Sequence, residues 1–164
     1  MIIREMRRQD WDAVADIYGR ALDGGKATFQ TEVPSWEEWN RAHIEQCRFV
    51  AEEEGRILGW IAISHVSARA VYCGVAEVSV YVAAGAQRKG VGKALLLKLI
   101  ESSEKRGFWS LLAVIHRTNA GSEALFKSCG FREIGYRERI AKDKFGQWLD
   151  TLMLERRSAV VGID

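Results

Sequence analysis

Proline is almost absent from the chain: Pro34 is the only one in 164 residues. Low-complexity tracts, Pro/Gly-rich linkers and internal repeats are also missing, so nothing divides the sequence into separate units. Cysteine is scarce and odd in number. Cys47, Cys73 and Cys129 are widely spaced, lack the short spacings of a metal site, and read as free thiols of a reducing compartment. His43, His65 and His116 lack ligand spacing as well, so no metal is expected. An excess of one charge is lacking too. Twenty-four Lys and Arg against 22 Asp and Glu leave a net charge of +2, which argues against bulk nucleic-acid binding. No apolar run approaches the ~20 residues that span a membrane. The start, Met1-Ile2-Ile3-Arg4-Glu5, has no signal-peptide apolar core. The expectation is a soluble, cytoplasmic protein with neither nucleic-acid nor membrane partners.

What is present suits one compact domain. Apolar residues make up 48% of the chain, and six Trp, six Phe and four Tyr supply large surfaces to bury. The domain is expected over residues 1–157, with 158–164 a tail that carries no clear structural signal. A short strand at Ile2 to Met6 leads into a helix from Asp10 to Leu22, stopped by Asp23-Gly24-Gly25. Ser35 and Glu38 form a capping box that opens a second helix. Arg48 to Glu52 and Arg56 to Ser64 flank Glu54-Gly55 as a hairpin. Ala76 to Val82 is a β-branched strand, followed by a helix from Val91 to Arg106 that Gly107 ends. Leu111 to Ile115 is a buried strand, Ser122 to Cys129 a helix ended by Gly130. Strands at Phe131 to Tyr136 and Asp150 to Glu155 complete the order. Hairpins first and strand–helix–strand units later predict an α/β fold, a mixed sheet with helices on both faces.

The loop Ala83-Ala84-Gly85-Ala86-Gln87-Arg88-Lys89-Gly90-Val91-Gly92-Lys93 joins a Val-rich strand to a helix. A helix start offers free N–H groups and partial positive charge, which suit a phosphate. Glycines at 90 and 92 allow close backbone approach, and Arg88, Lys89 and Lys93 add positive charge. Gly85 to Gly90 has P-loop spacing, but Val91-Gly92 stand where Lys-Ser/Thr are required. The dinucleotide fingerprint needs a third glycine where Leu95 stands. Both motifs fail, leaving a diphosphate-bearing ligand at a helix start, or a plain turn with solvated bases.

Gln-x-x-Gly-x-Gly after such a strand resembles the pyrophosphate motif of the GNAT acetyltransferase superfamily. Val114, Asn119 and Leu125-Phe126-Lys127-Ser128-Cys129-Gly130-Phe131 resemble its next strand and its "L-Y-x-x-x-G-F" segment. Phe29-Gln30-Thr31-Glu32, Arg69-Ala70-Val71-Tyr72, Glu77-Val78-Ser79-Val80-Tyr81-Val82 and Lys144-Phe145-Gly146-Gln147-Trp148-Leu149-Asp150 are similar to segments of the phosphinothricin and methionine sulfone/sulfoximine acetyltransferases. The resemblance implies a GNAT fold, with a mostly antiparallel mixed sheet. It implies acetyl-CoA as co-substrate, a small amino-acid analogue acetylated on its α-amine, and a homodimer.

The same resemblance distributes the roles. The amides of Arg88, Lys89, Gly90, Val91, Gly92 and Lys93, following Gln87, would hold the CoA pyrophosphate. Val80 and Val82 would pair with the pantetheine arm, Asn119 would hydrogen-bond it, and Ser128 is a further cofactor contact. Glu77 would act as general base through water, although a structural glutamate is the alternative. Arg69 and Tyr72 would read a carboxylate or a sulfone or phosphinate oxygen pair, with Phe29 and Thr31 on the opposite wall. Phe126 stands where many superfamily members carry a Tyr proton donor. Tyr81 and His116 are distant substitutes for it, and a thiol of pKa ~8.5 leaves as thiolate without much help. Trp148 fits core, interface or pocket wall. Cys73 lacks an activating base, which disfavours an acyl-cysteine route. Two rivals remain: acetylation of a protein N-terminus or lysine, and a CoA-binding sensor without catalysis.

Overall fold

The chain is built from seven strands, β1 (Ile2–Glu5), β2 (Phe49–Glu53), β3 (Arg56–His65), β4 (Val75–Val82), β5 (Ser110–His116), β6 (Arg132–Lys142) and β7 (Trp148–Arg157). Four helices join them: α1 (Trp11–Gly24), α2 (Trp36–Ala42), α3 (Val91–Lys105) and α4 (Ala120–Ser128). The computed structural model describes residues 1–25 and 27–164. One sheet runs β1-β2-β3-β4-β5-β7-β6, and every neighbouring pair is antiparallel except β4 and β5. The expected mixed, mostly antiparallel sheet with helices on both faces is the observed architecture.

Strand alternation assigns each side chain to a face. Ile61 and Ile63 of β3 pack with Leu95, Leu96 and Leu99 of α3, whereas Trp60 and Ala62 pack with α1 and α2. Ala76 and Val78 of β4, Leu111, Ala113 and Ile115 of β5, and Leu152 and Leu154 of β7 join the α3 side. Glu77, Ser79 and Tyr81, together with Val114, His116 and Thr151, therefore share the α1 side. That face begins as an aromatic block: Trp39 lies 5.5 Å from both Trp11 and Trp60, and Tyr81 lies 4.9 Å from both Trp60 and Tyr18 (ring centroids).

Local chemistry sets most boundaries. The Ser35 hydroxyl accepts from the Glu38 N–H at 3.2 Å, and the Glu38 carboxylate accepts from the Ser35 N–H at 2.9 Å, the expected capping box of α2. Several boundaries differ from expectation: α1 runs to Gly24, β7 spans Trp148–Arg157 in place of Asp150 to Glu155, and α4 and β6 differ for local reasons. Helix α4 begins before Ser122, because the Asn119 Oδ1 caps it by accepting from the Ser122 N–H at 3.1 Å. Strand β6 runs past Tyr136 to Lys142. It is an outer strand, exposed along nearly its whole length, so no apolar alternation marks it. A register shift between Arg137 and Ala141, with Arg139 at φ 46°, also breaks its pattern. Residues after β7 fold back on the body: the Ser158 hydroxyl donates to Glu104 at 2.9 Å, and the Arg157 guanidinium donates to the carbonyls of Val161 and Gly162.

Candidate active site

The site starts where two strands part. β4 pairs with β5 only through Val75↔Ser110, Ala76↔Leu111 and Glu77↔Leu112. Beyond that point β4 stays with β3 as far as Val82, and β5 stays with β7 as far as His116↔Thr151. A wedge therefore opens between them, and from Val78 onward the β4 edge facing β5 has no strand partner among the described residues. A cavity of about 1030 Å³ passes through the wedge. Val80 and Val82 line it along β4, and Asn119, Phe126 and Ser128 line it from the opposite bank.

At one end stands the start of α3. Gly90 is its N-cap at φ 80°, ψ 0°, a left-handed conformation that favours glycine. Among the described residues no side chain caps the helix, and its first turn contains no acidic residue. The first intrahelical bond is Ala94 N–H to Gly90 O at 3.0 Å. The N–H groups of Val91, Gly92 and Lys93 thus have no intrahelical acceptor, and these residues line the cavity together with Gln87, Arg88 and Gly90. Gly92 serves a second purpose. A Cβ there would stand 3.0 Å from Leu125 Cδ2 and 3.5 Å from Val82 Cγ2, so glycine lets α3 close against α4 and β4. Lys89 is exposed and lies outside the lining. The Ser128 hydroxyl donates to Leu125 O at 2.7 Å, and the Asn119 carbonyl oxygen is engaged at the α4 cap, which leaves its amide N–H groups for a ligand.

The other end is on the α1 face. Glu77 lines the cavity half-buried, and burial pushes its carboxyl above the usual carboxylate range, with the Arg137 charge pulling the other way. Burial also pushes the Tyr81 phenol upward, so it stays protonated at neutral pH. Phe126 is 2% exposed and packs edge-on to Phe131 at 4.9 Å, which makes it core as well as wall. Phe29 lies across the His116 ring at 4.5 Å between centroids. Thr31, Arg69 and Tyr72 do not line this cavity. Thr31 is exposed, and Arg69 and Tyr72 sit on the exposed turn before β4 with the guanidinium 5.7 Å over the Tyr72 ring. Trp148 is exposed on β7. Among the described residues no group of His, Cys, Asp and Glu could hold a metal ion. Thr151 and Arg137 are not singled out by sequence reasoning. The register between β5 and β7, which sets Thr151 opposite His116, is not written near either residue.

A parted pair of parallel strands, a helix start without a side-chain cap and a raised carboxyl suit a ligand with a phosphate group and an extended arm, held beside a proton acceptor. The comparisons agree. Residues 11–131 match the model of the acetyltransferase (GNAT) family. Phosphinothricin N-acetyltransferase of Alcaligenes faecalis is 34% identical, covering 94% of this chain and 81% of that protein. The L-methionine sulfoximine/L-methionine sulfone acetyltransferase of Pseudomonas paraeruginosa is 28% identical, covering 93% and 92%. A GNAT superfamily phosphinothricin acetyltransferase from Sinorhizobium meliloti, solved in complex with AcCoA, superposes at TM-score 0.89 with 29% identity, covering 99% of this chain and 91% of that one. A ribosomal-protein-alanine N-acetyltransferase from Brucella melitensis superposes at 0.88 with 31% identity, covering 96% and 100%. The chain belongs to the GNAT acetyltransferase family. It is an acetyl-CoA-dependent N-acetyltransferase, and its residues fit that co-substrate: an uncapped α3 start for the diphosphate and an unpaired β4 edge for the arm.

Proposed function

We propose that the chain acetylates the α-amine of a small amino acid or analogue, of the phosphinothricin, methionine sulfone or methionine sulfoximine type. The observation that carries the reading is Glu77, a carboxyl of raised pKa lining the cavity on the face opposite α3. An ammonium must lose a proton before it attacks, and Glu77 accepts it through water. The amine nitrogen then bonds to the thioester carbonyl carbon, the C–S bond breaks, and the second amine proton offsets the thiolate charge through solvent. A backbone N–H on the unpaired β4 edge steadies the charge that develops on the carbonyl oxygen. The amides of Val91, Gly92 and Lys93, with Arg88 and Lys93 side chains, hold the pyrophosphate. Val80, Val82 and the Asn119 amide take the pantetheine arm, Ser128 flanks it, the exposed Lys89 adds charge beside the pyrophosphate, and Phe29 closes the acceptor wall. The names of the Alcaligenes and Pseudomonas relatives support the acceptor class.

The homodimer belongs to this proposal. Tyr136, Ile140, Phe145 and Trp148 on and between β6 and β7 expose apolar surface, as do Val71 and Tyr72 beside Arg69. Arg69, Tyr72 and Thr31 are assigned to acceptor recognition within that assembly. A cytoplasmic location is proposed on the free cysteines Cys47, Cys73 and Cys129, and no helix among the described residues is long and apolar enough to cross a membrane.

The Brucella likeness favours one second reading, acetylation of an N-terminal alanine on a protein. A CoA-release assay over phosphinothricin, methionine sulfone, methionine sulfoximine and an alanine-terminated peptide decides between them. Release with the amino-acid analogues and not with the peptide is expected. Release with the peptide alone would transfer the function to protein N-termini, and acetyl-CoA binding with release for none of the four would place the acceptor outside both classes.

A further inference from the structure

At the acceptor end, two buried polar side chains have nothing to bond to among the described residues. His116 is 3% exposed and Thr151 4% exposed, yet neither ring nitrogen of His116 nor the Thr151 hydroxyl has a hydrogen-bond partner there. They are direct partners across β5 and β7, so their side chains stand side by side on the α1 face. Both line the cavity, and the Phe29 ring roofs the imidazole. Buried polar groups are normally paired, and an unpaired cluster in a cavity wall points to a ligand atom that completes it. Burial holds the imidazole pKa below its ordinary value despite the Asp143 charge, so the ring is neutral and offers one N–H and one acceptor nitrogen.

Position separates this pair from the chemistry. Leu112, the register partner of Glu77, precedes His116 on β5 by roughly 13 Å of strand. A group held at His116 is therefore the far end of the acceptor and not its amine. We propose that His116 and Thr151 form the side-chain subsite of the acceptor, donating two hydrogen bonds to an oxygen-bearing head group such as a sulfonyl, sulfoximine or phosphinyl. Phe29 swings aside to admit the head and packs against its methylene stem. The subsite rests on the amino-acid acceptor reading and narrows it: an acceptor with an apolar side chain leaves the two donors unpaired and is disfavoured.

The test compares methionine sulfone with methionine, which has the same stem without the oxygens. kcat/KM for each is measured with the wild-type enzyme, Thr151→Val, His116→Phe and His116→Gln, alongside acetyl-CoA affinity and near-UV circular dichroism as a check of folding. The wild type is expected to prefer the sulfone. Thr151→Val and His116→Phe are each expected to lose roughly fivefold to tenfold of that preference, His116→Gln to restore part of it through its amide donor, and acetyl-CoA affinity to stay unchanged. An identical sulfone-to-methionine ratio in all four proteins would overturn the subsite while leaving the acceptor class standing. Weakened acetyl-CoA binding with an unchanged ratio would assign the pair to the donor arm and overturn it equally. Acetylation of neither compound by the wild type would remove the acceptor class, and the subsite with it.

Discussion

The two ends of the cavity are made of different material. At the proposed donor end the groups on offer are backbone: N–H groups of the first turn of α3 and the edge of β4 that β5 leaves. At the proposed acceptor end the cavity is lined by side chains brought together from distant parts of the chain, with Glu77 from β4, His116 from β5, Thr151 from β7 and Phe29 from the loop ahead of α2. A backbone site depends on where a helix begins and two strands separate, and it tolerates side-chain change except where a Cβ does not fit. A side-chain site depends on every residue in it. One scaffold can therefore keep a single donor while the acceptor end is rebuilt for another amine.

The comparison is broken most severely at Glu77. Glu77→Gln keeps the shape and removes the proton acceptor, so kcat is expected to fall by roughly a hundredfold or more, with the KM for acetyl-CoA unchanged in steady-state assays. Gly90→Val is the counterpart at the donor end. A β-branched residue at φ 80° strains the start of α3, so acetyl-CoA affinity is expected to drop about tenfold by calorimetry while the preference among acceptors stays fixed. Arg88→Ala is smaller. Loss of one exposed charge beside the pyrophosphate is expected to raise the KM for acetyl-CoA about threefold at low salt, and less as salt screens the site. Ser35→Ala is expected to leave both ends alone. It removes the α2 cap and costs about 1 kcal/mol of stability in denaturant unfolding.

The same contrast explains what the letters reveal. Glycines at 90 and 92, between a Val-rich strand and an amphipathic helix, mark a helix start in one contiguous stretch, so the donor end is readable. The α2 capping box is readable for the same reason, being four neighbouring residues. The acceptor end is not contiguous. Nothing near Thr151 in the chain says that it faces His116; β-register between β5 and β7 decides that. Arg69 and Tyr72 are legible by chemistry, which suits a carboxylate, and not by position: the turn that carries them leaves them exposed outside this cavity. The extent of β6 is hidden because an exposed outer strand has no buried face to write an alternating pattern. The parting of β4 from β5 is likewise a property of the sheet and of no single residue.

Glu77 as the base is the central claim, and its raised carboxyl gives it a signature in pH. A base works as the carboxylate, and the Glu77 pKa lies above the usual range, so with Glu77 as the base activity is expected to be lost as pH falls through that raised value. The direct measurement is kcat/KM for methionine sulfone against pH, for the wild type and Glu77→Gln, at saturating acetyl-CoA. An acid limb in the wild type centred above the ordinary carboxylate pKa, absent from the variant and accompanied by its lower rate, is the expected result. The same limb at the same height in both proteins would contradict the account.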